Sequence, residues 1–133
     1  LKLYLLMRVM YSGDIQFVVV PGEEGELGIY PKHIPLITRI KPGSLRFKNS
    51  NNEDEVIVVA GGILEVQPNL VTVLADTAIR ANDIDQKRSE EAKQIAEAKL
   101  KNNPDDIDLA KAHAELAFAI AELTAIKKYR GKK

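Results

Sequence analysis

The sequence predicts an α+β protein. Residues 1–82 are expected to form an N-terminal antiparallel β-sandwich or barrel, and residues 83–133 a C-terminal antiparallel two-helix hairpin. Three observations predict this. Seven of the 8 glycines and five of the 6 prolines lie before residue 82, and both types punctuate short strands but are costly inside helices. Short β-branched runs recur between turn signals in the first part. Two helix-length segments flank Asn102-Asn103-Pro104 in the second.

The strands follow in order. Residues 15–20 stop at Pro21-Gly22, 27–30 at Pro31, and 36–40 at Pro42-Gly43. Residues 45–48 run into Asn49-Ser50-Asn51-Asn52, a hairpin turn, and 56–60, 63–66 and 70–74 complete the series. Prolines stand at the ends of these runs, as expected where a residue cannot donate to the ladder. Gly61-Gly62 reads as a turn or bulge.

The first helix starts at a cap on Asn82 or Asp83 and runs to about Lys101. Its apolar stripe is thin: Ile84, Ala92, Ile95, Ala96 and Leu100. Asp105 and Asp106 then suit the positive end of the second helix, which runs to about Tyr129 and ends in basic Lys127, Lys128, Arg130, Lys132 and Lys133. This helix keeps Leu109, Ala112, Leu116, Ala119, Leu123 and Ile126 at 3,4 spacing, with a second stripe of Ile107, Ala114, Phe118, Ala121 and Ala125. A helix apolar nearly all round needs cover on more than one side. The first helix is too narrow to supply it, so the rest falls to the β domain or to a partner protein.

Composition excludes several classes of function. With 19 basic and 19 acidic side chains the net charge is +0, which argues against a broad nucleic-acid surface. There is no cysteine, hence no disulfide framework or thiolate chemistry. No apolar run nears the ~20 residues that span a bilayer. The opening residues 1–8 are apolar but short and lack a small-residue cleavage site; a few residues are expected before Leu1. His33 and His113 are far apart, without metal-ligand spacing. Ser12 and Ser44 have no nucleophile elbow. Gly22-Glu23-Glu24-Gly25-Glu26-Leu27-Gly28 leads into a strand, and its glutamates would repel phosphate. No nucleophile, base and oxyanion donor assemble. The residues alone describe a noncatalytic interaction module, with no catalytic site and no metal.

Three blocks carry a resemblance. Gly25-Glu26-Leu27-Gly28-Ile29-Tyr30-Pro31-Lys32-His33-Ile34-Pro35-Leu36, Gly61-Gly62-Ile63-Leu64-Glu65-Val66, and Val71-Thr72-Val73-Leu74-Ala75-Asp76 resemble the epsilon subunit of bacterial F-type ATP synthase. Asp106-Ile107-Asp108 and Ala114-Glu115-Leu116-Ala117 are similar to the family's second hairpin helix. The likeness covers roughly residues 11–126. Residues 1–10 do not clearly follow the family's first strand, which leaves the first β-hairpin open.

The resemblance implies a noncatalytic rotor subunit on the cytoplasmic face of the bacterial membrane, touching the membrane only through the c-subunit ring. Its implied partners are the gamma subunit, the c-ring and, through the hairpin, the catalytic alpha/beta head, where an extended hairpin blocks ATP hydrolysis. It places the c-ring contact at Glu26 and at Lys32-His33, and the alternative docking surface on Leu116, Phe118, Ile120, Leu123 and Ile126. The family's ATP motif is met in Ile84-Asp85-Gln86-Lys87-Arg88-Ser89, with Ser89 where the family has alanine. Asp85 and Arg88 can equally be an ordinary helix pair. Ile95, Ile120 and Thr124 stand where the family's further arginines would align, and Phe118 where a lysine would. ATP is therefore expected at most as a weak regulatory ligand, held by Ile84, Asp85 and Arg88. The alternative reading is a stand-alone nucleotide sensor with ATP held by the hairpin.

Overall fold

The computed structural model describes residues 2–6, 9–75, 77–102 and 106–130. The strands are β1 (Lys2–Leu6), β2 (Val9–Asp14), β3 (Val18–Gly22), β4 (Gly25–Ile29), β5 (Leu36–Ile40), β6 (Gly43–Lys48), β7 (Asp54–Val59), β8 (Gly62–Gln67), β9 (Leu70–Ala75) and β10 (Ala78–Arg80). They join in the order β10-β7-β6-β3-β5-β8-β9-β1-β2, with β4 paired to β3 off this path. A 3₁₀ turn (Ala81–Asp83) leads to α1 (Gln86–Asn102) and then α2 (Asp106–Ala125), which continues as a π-helical turn over Ile126–Arg130. This is the expected sandwich followed by a helical hairpin.

The alternation of side chains in each strand builds one core. Val18, Val20, Leu45, Phe47, Ile57, Val59, Leu64, Val66, Val71 and Val73 point into it. Leu3 of β1 joins them, fully buried. The sheet curls at β3, which meets β5 only through Gly22 and Ile40 and β6 through Val18 and Val19. Gly62 shows why glycine is needed where β8 begins its pairing with β9: a Cβ there would lie 2.0 Å from the Leu74 carbonyl oxygen, and the residue has φ +153°. The predicted hairpin turn between β6 and β7 is present. Asn49 Oδ1 accepts the backbone N–H groups of Asn51 and Glu53 at 2.9 and 3.0 Å.

Several expectations are corrected. β1 and β2 do pair, from Lys2↔Asp14 to Leu6↔Val9, so the first hairpin exists despite its unfamiliar sequence. β1 also pairs parallel with β9, the exception in an otherwise antiparallel sheet among the described residues. A three-residue strand, β10, joins β7 where none was expected. The first helix is not capped by Asn82 or Asp83, which lie in the 3₁₀ turn. Asp85 caps it instead: its Oδ1 accepts the N–H groups of Lys87 and Arg88 at 3.1 and 3.3 Å. Ile95, assigned to the apolar stripe of α1, faces solvent; the buried residues of that helix are Ser89 and Ala96. Asn103, Pro104, Asp105, Lys132 and Lys133, and the side chain of Ile107, lie outside the described residues.

The hairpin is docked. α2 lies against α1 and against the outer faces of β6 and β7. A second apolar cluster forms there from Val58, Ala81, Ile84 and Ala125, flanked by Val56, Ile79, Phe118, Ala121, Ile126 and Tyr129. The β domain and α1 thus cover much of the nearly all-round apolar helix between them.

Candidate functional site

Three surfaces bear on function. The first is the loop side of the sandwich. Glu26 is exposed on β4, and its carboxylate accepts two hydrogen bonds from Arg46 Nη2 at 3.3 and 3.1 Å. Lys32 follows β4 in a tight turn with φ 68°, and its N–H donates to the Pro68 carbonyl at 2.6 Å. His33 is half-buried, with Nδ1 2.7 Å from the Ile34 carbonyl oxygen. Glu26 borders an open cleft of about 290 Å³ with Glu23, Glu24, Leu36 and Thr38, and neither Lys32 nor His33 lines it. Arg46 was missed by sequence reasoning. Its guanidinium carbon also lies 5.8 Å from the centre of the Tyr129 ring, so it ties the Glu26 loop to the end of the hairpin. An arginine in a strand of mixed pattern gives no local sign of such a bridge.

The second surface is the outer face of β5, β8 and β9. Ile37 is 72% exposed, Ile63 45% and Leu74 48%. Register places Ile63 directly opposite Leu74 and beside Arg39. On the other face Leu64 and Val73 are fully buried, while Arg39, Glu65 and Thr72 share the outer face with the three apolar residues. Consecutive apolar residues such as Leu36-Ile37 and Ile63-Leu64 were the available signal.

The third surface is the hairpin. Leu116, Phe118, Leu123 and Ile126 are half-buried, while Ile120 is exposed. Ile120 borders a groove of about 290 Å³ against Pro42, Gly43 and Ser44. The residues of the predicted nucleotide motif divide. Ile84 is a core residue of the second cluster and Asp85 is the helix cap. Arg88 borders a cavity of about 300 Å³ between α1, α2 and β10. Facing Arg88 across this cavity is Glu122 of α2, which sequence reasoning did not single out. Four residues after Phe118, it sits beside the second apolar stripe, and that spacing could have found it. Burial pushes the Glu122 carboxyl up from its ordinary 4.5, opposed by a hydrogen bond from Ser89 and the charge of Arg88. Ser89 is 3% exposed.

These residues do not fit a nucleoside triphosphate. Asp83, Asp85 and Glu122 border the cavity against one cation, Arg88, and Ser89 is engaged with Glu122. Among the described residues no group of three or more histidine, cysteine, aspartate or glutamate side chains could hold a metal, and no helix is long and apolar enough to cross a membrane.

Comparison with known proteins places this architecture. Residues 1–81 match the family model for the ATP synthase delta/epsilon chain β-sandwich domain, and residues 82–127 that for its long α-helix domain. The ATP synthase epsilon chain of Polaromonas naphthalenivorans is 55% identical over 124 residues, covering 93% of this chain and 90% of its own. That of Janthinobacterium sp. is 58% identical over 125 residues, covering 93% and 89%. In solved structures, a chain of the Euglena gracilis mitochondrial ATP synthase superposes with a TM-score of 0.78 at 21% identity, covering 94% of this chain and 81% of its own. A chain of the Tetrahymena thermophila central stalk and c-ring gives 0.62 at 15%, covering 93% and 92%. Two consecutive family domains and relatives identical at more than half of the aligned positions establish that this chain belongs to the ATP synthase delta/epsilon chain family, beside the bacterial epsilon chains.

Proposed function

We propose that the chain is a noncatalytic central-stalk subunit of a bacterial F-type ATP synthase driven by protons or sodium, helping to pass c-ring rotation to the catalytic head. In this reading it lies peripherally on the cytoplasmic face of the membrane. The observation that carries it is the uncovered apolar face of β5, β8 and β9 in a chain of this family. Ile37, Ile63 and Leu74 are exposed there, with Ile63 directly opposite Leu74, and exposed apolar surface of this kind marks a protein contact. We assign this face to the gamma subunit. The c-ring falls to the Glu26 and Lys32-His33 side through polar contact. With Glu23, Glu24 and Glu26 together, insertion into lipid would cost several kcal/mol.

The hairpin is the regulatory part. Docked, it covers Val58 and Ile84; extended, it would offer Leu116, Phe118, Ile120, Leu123 and Ile126 to the catalytic alpha/beta head. Two such arrangements need differ by only a few kcal/mol to be switched. ATP should bind weakly or not at all, since one arginine among three carboxylates holds a triphosphate poorly. This also removes support from a stand-alone nucleotide sensor.

Copurification tests the assignment. The full chain, and a chain ending at residue 82, should each retain gamma and the c-ring on a column. A folded β domain that captures neither would refute it. Calorimetry tests the nucleotide reading: a micromolar dissociation constant for ATP, lost in Arg88→Ala, would overturn it.

A further inference from the structure

We propose that the cavity between Tyr129 and the outer face of β3, β6 and β7 binds a small, neutral, bicyclic aromatic compound through its carbonyl oxygen, and that this occupant holds the hairpin docked. The cavity measures about 240 Å³. A cavity of about 150 Å³ takes benzene, so two fused rings fit here. Register sets Val19 of β3 opposite Arg46 of β6, and Arg46 opposite Val56 of β7. All three border the cavity, together with Phe17 and Tyr129. Phe17 is stacked on Tyr30, the ring centres 5.2 Å apart. Phe17, Val19, Val56 and Tyr129 are half-buried, so each has apolar surface left to give. Mainly apolar walls with a single well-placed polar group are the usual make-up of a small-molecule site.

Arg46 supplies that polar group. Its Nη2 donates to Glu26, but its Nε is buried and has no hydrogen-bond partner among the described residues. A buried donor left unmade is costly, and a carbonyl oxygen in the cavity would satisfy it. The other charges bordering the cavity are matched within the chain. Lys48 Nζ lies 3.1 Å from Asp54 Oδ1. Glu55 pairs with Arg80 and accepts from Asn49 Nδ2 at 3.2 Å. An anion would meet Asp54 and Glu55, and a cation would meet Arg46 and Lys48, which selects a neutral acceptor. Tyr129 belongs to the π-helical turn that ends the hairpin, whereas the other lining residues belong to the β domain. The site is thus complete only while the hairpin is docked, and its ligand favours that state. This rests on the hairpin alternation proposed above, but its test needs neither gamma nor the c-ring, so the two readings fail separately.

Titration of the isolated full chain with coumarin, followed by proton–nitrogen NMR, is the experiment. Coumarin is bicyclic, neutral and carries a carbonyl. It should shift the Arg46 Nε–H signal and the amides of Val19, Val56 and Tyr129 saturably, with a dissociation constant of about 1 mM. Indole, of similar size but without an acceptor, should bind about tenfold more weakly. Coumarin-3-carboxylate should also bind more weakly than coumarin. R46K keeps the charge and lacks the Nε–H, so it should weaken coumarin to the level of indole and leave indole unchanged. At ten times the dissociation constant, coumarin should raise the exchange protection of the α2 amides about tenfold, with β8 and β9 unaltered. Equal affinity for coumarin and indole, or full coumarin affinity in R46K, overturns the proposal. So do shifts centred on Ile37, Ile63 and Leu74, and binding that leaves α2 protection unchanged.

Discussion

The outer face of the sheet is apolar in two places, and only one of them is covered. At β7, Val56 and Val58 face outward, and the hairpin buries Val58 completely. At β5, β8 and β9, Ile37, Ile63 and Leu74 face outward with nothing over them. Ile57 and Val59 on β7, and Leu64 on β8, fill the common core behind both. The difference lies in what the chain itself supplies. Its own helices satisfy the first face, reversibly if the hairpin swings. The second is left for another molecule. A protein that needs one permanent and one changeable contact can make both from the same curled sheet.

Substitutions across the sheet test that contrast. Leu64→Ala empties the shared core and should cost about 2–5 kcal/mol of global stability; urea unfolding should show both the sheet and the hairpin weakened. Val58→Asp puts an unpaired carboxylate beneath α2. It should destabilise docking by about 2 kcal/mol or more, visible as lost α2 exchange protection with β8 and β9 unchanged. If the sheet unfolds as well, the two faces are not energetically separate. Ile37→Asp lies on the uncovered face and should change stability by no more than about 0.5 kcal/mol. It should nevertheless weaken capture of gamma at least tenfold in a binding assay, and unchanged capture would move gamma elsewhere. Arg46→Ala removes both the Glu26 pair and the contact with Tyr129. Because the Glu26 carboxylate is exposed and the pair is screened by salt, docking should lose no more than about 1 kcal/mol, less at high salt.

Much of this was legible in the sequence, for identifiable reasons. Strand positions followed from β-branched runs ended by Pro21, Pro31 and Pro42, because proline and glycine act locally. The hairpin turn at Asn49–Asn52 was equally local. The helical hairpin followed from the 3,4 spacing of Leu109 to Ile126. What stayed hidden depended on distant residues. The pairing of β1 with both β2 and β9 is not written in Leu3 or its neighbours, and β10 is held by its partner β7. Asp85 displaced Asp83 as the cap because the chain spends three residues in a 3₁₀ turn first. Asp85 and Arg88 could be named as site candidates, but Glu122, 34 positions beyond Arg88, meets them only once the hairpin has closed.

The parallel pairing of β1 with β9 reaches into the timing of synthesis. Lys2 stands opposite Leu70, and Leu6 opposite Leu74. Only β2, its hairpin partner, can support β1 locally until β9 has been made. At ~5–20 residues per second, the ribosome needs roughly 3–14 s to cover that separation. During this interval Leu3, fully buried in the finished sheet, lacks the neighbour that β9 will supply. β1, made before the other described strands, thus waits for β9 to be locked in. Folding should accordingly be slow for a chain of this size, limited by a contact between its beginning and residue 70.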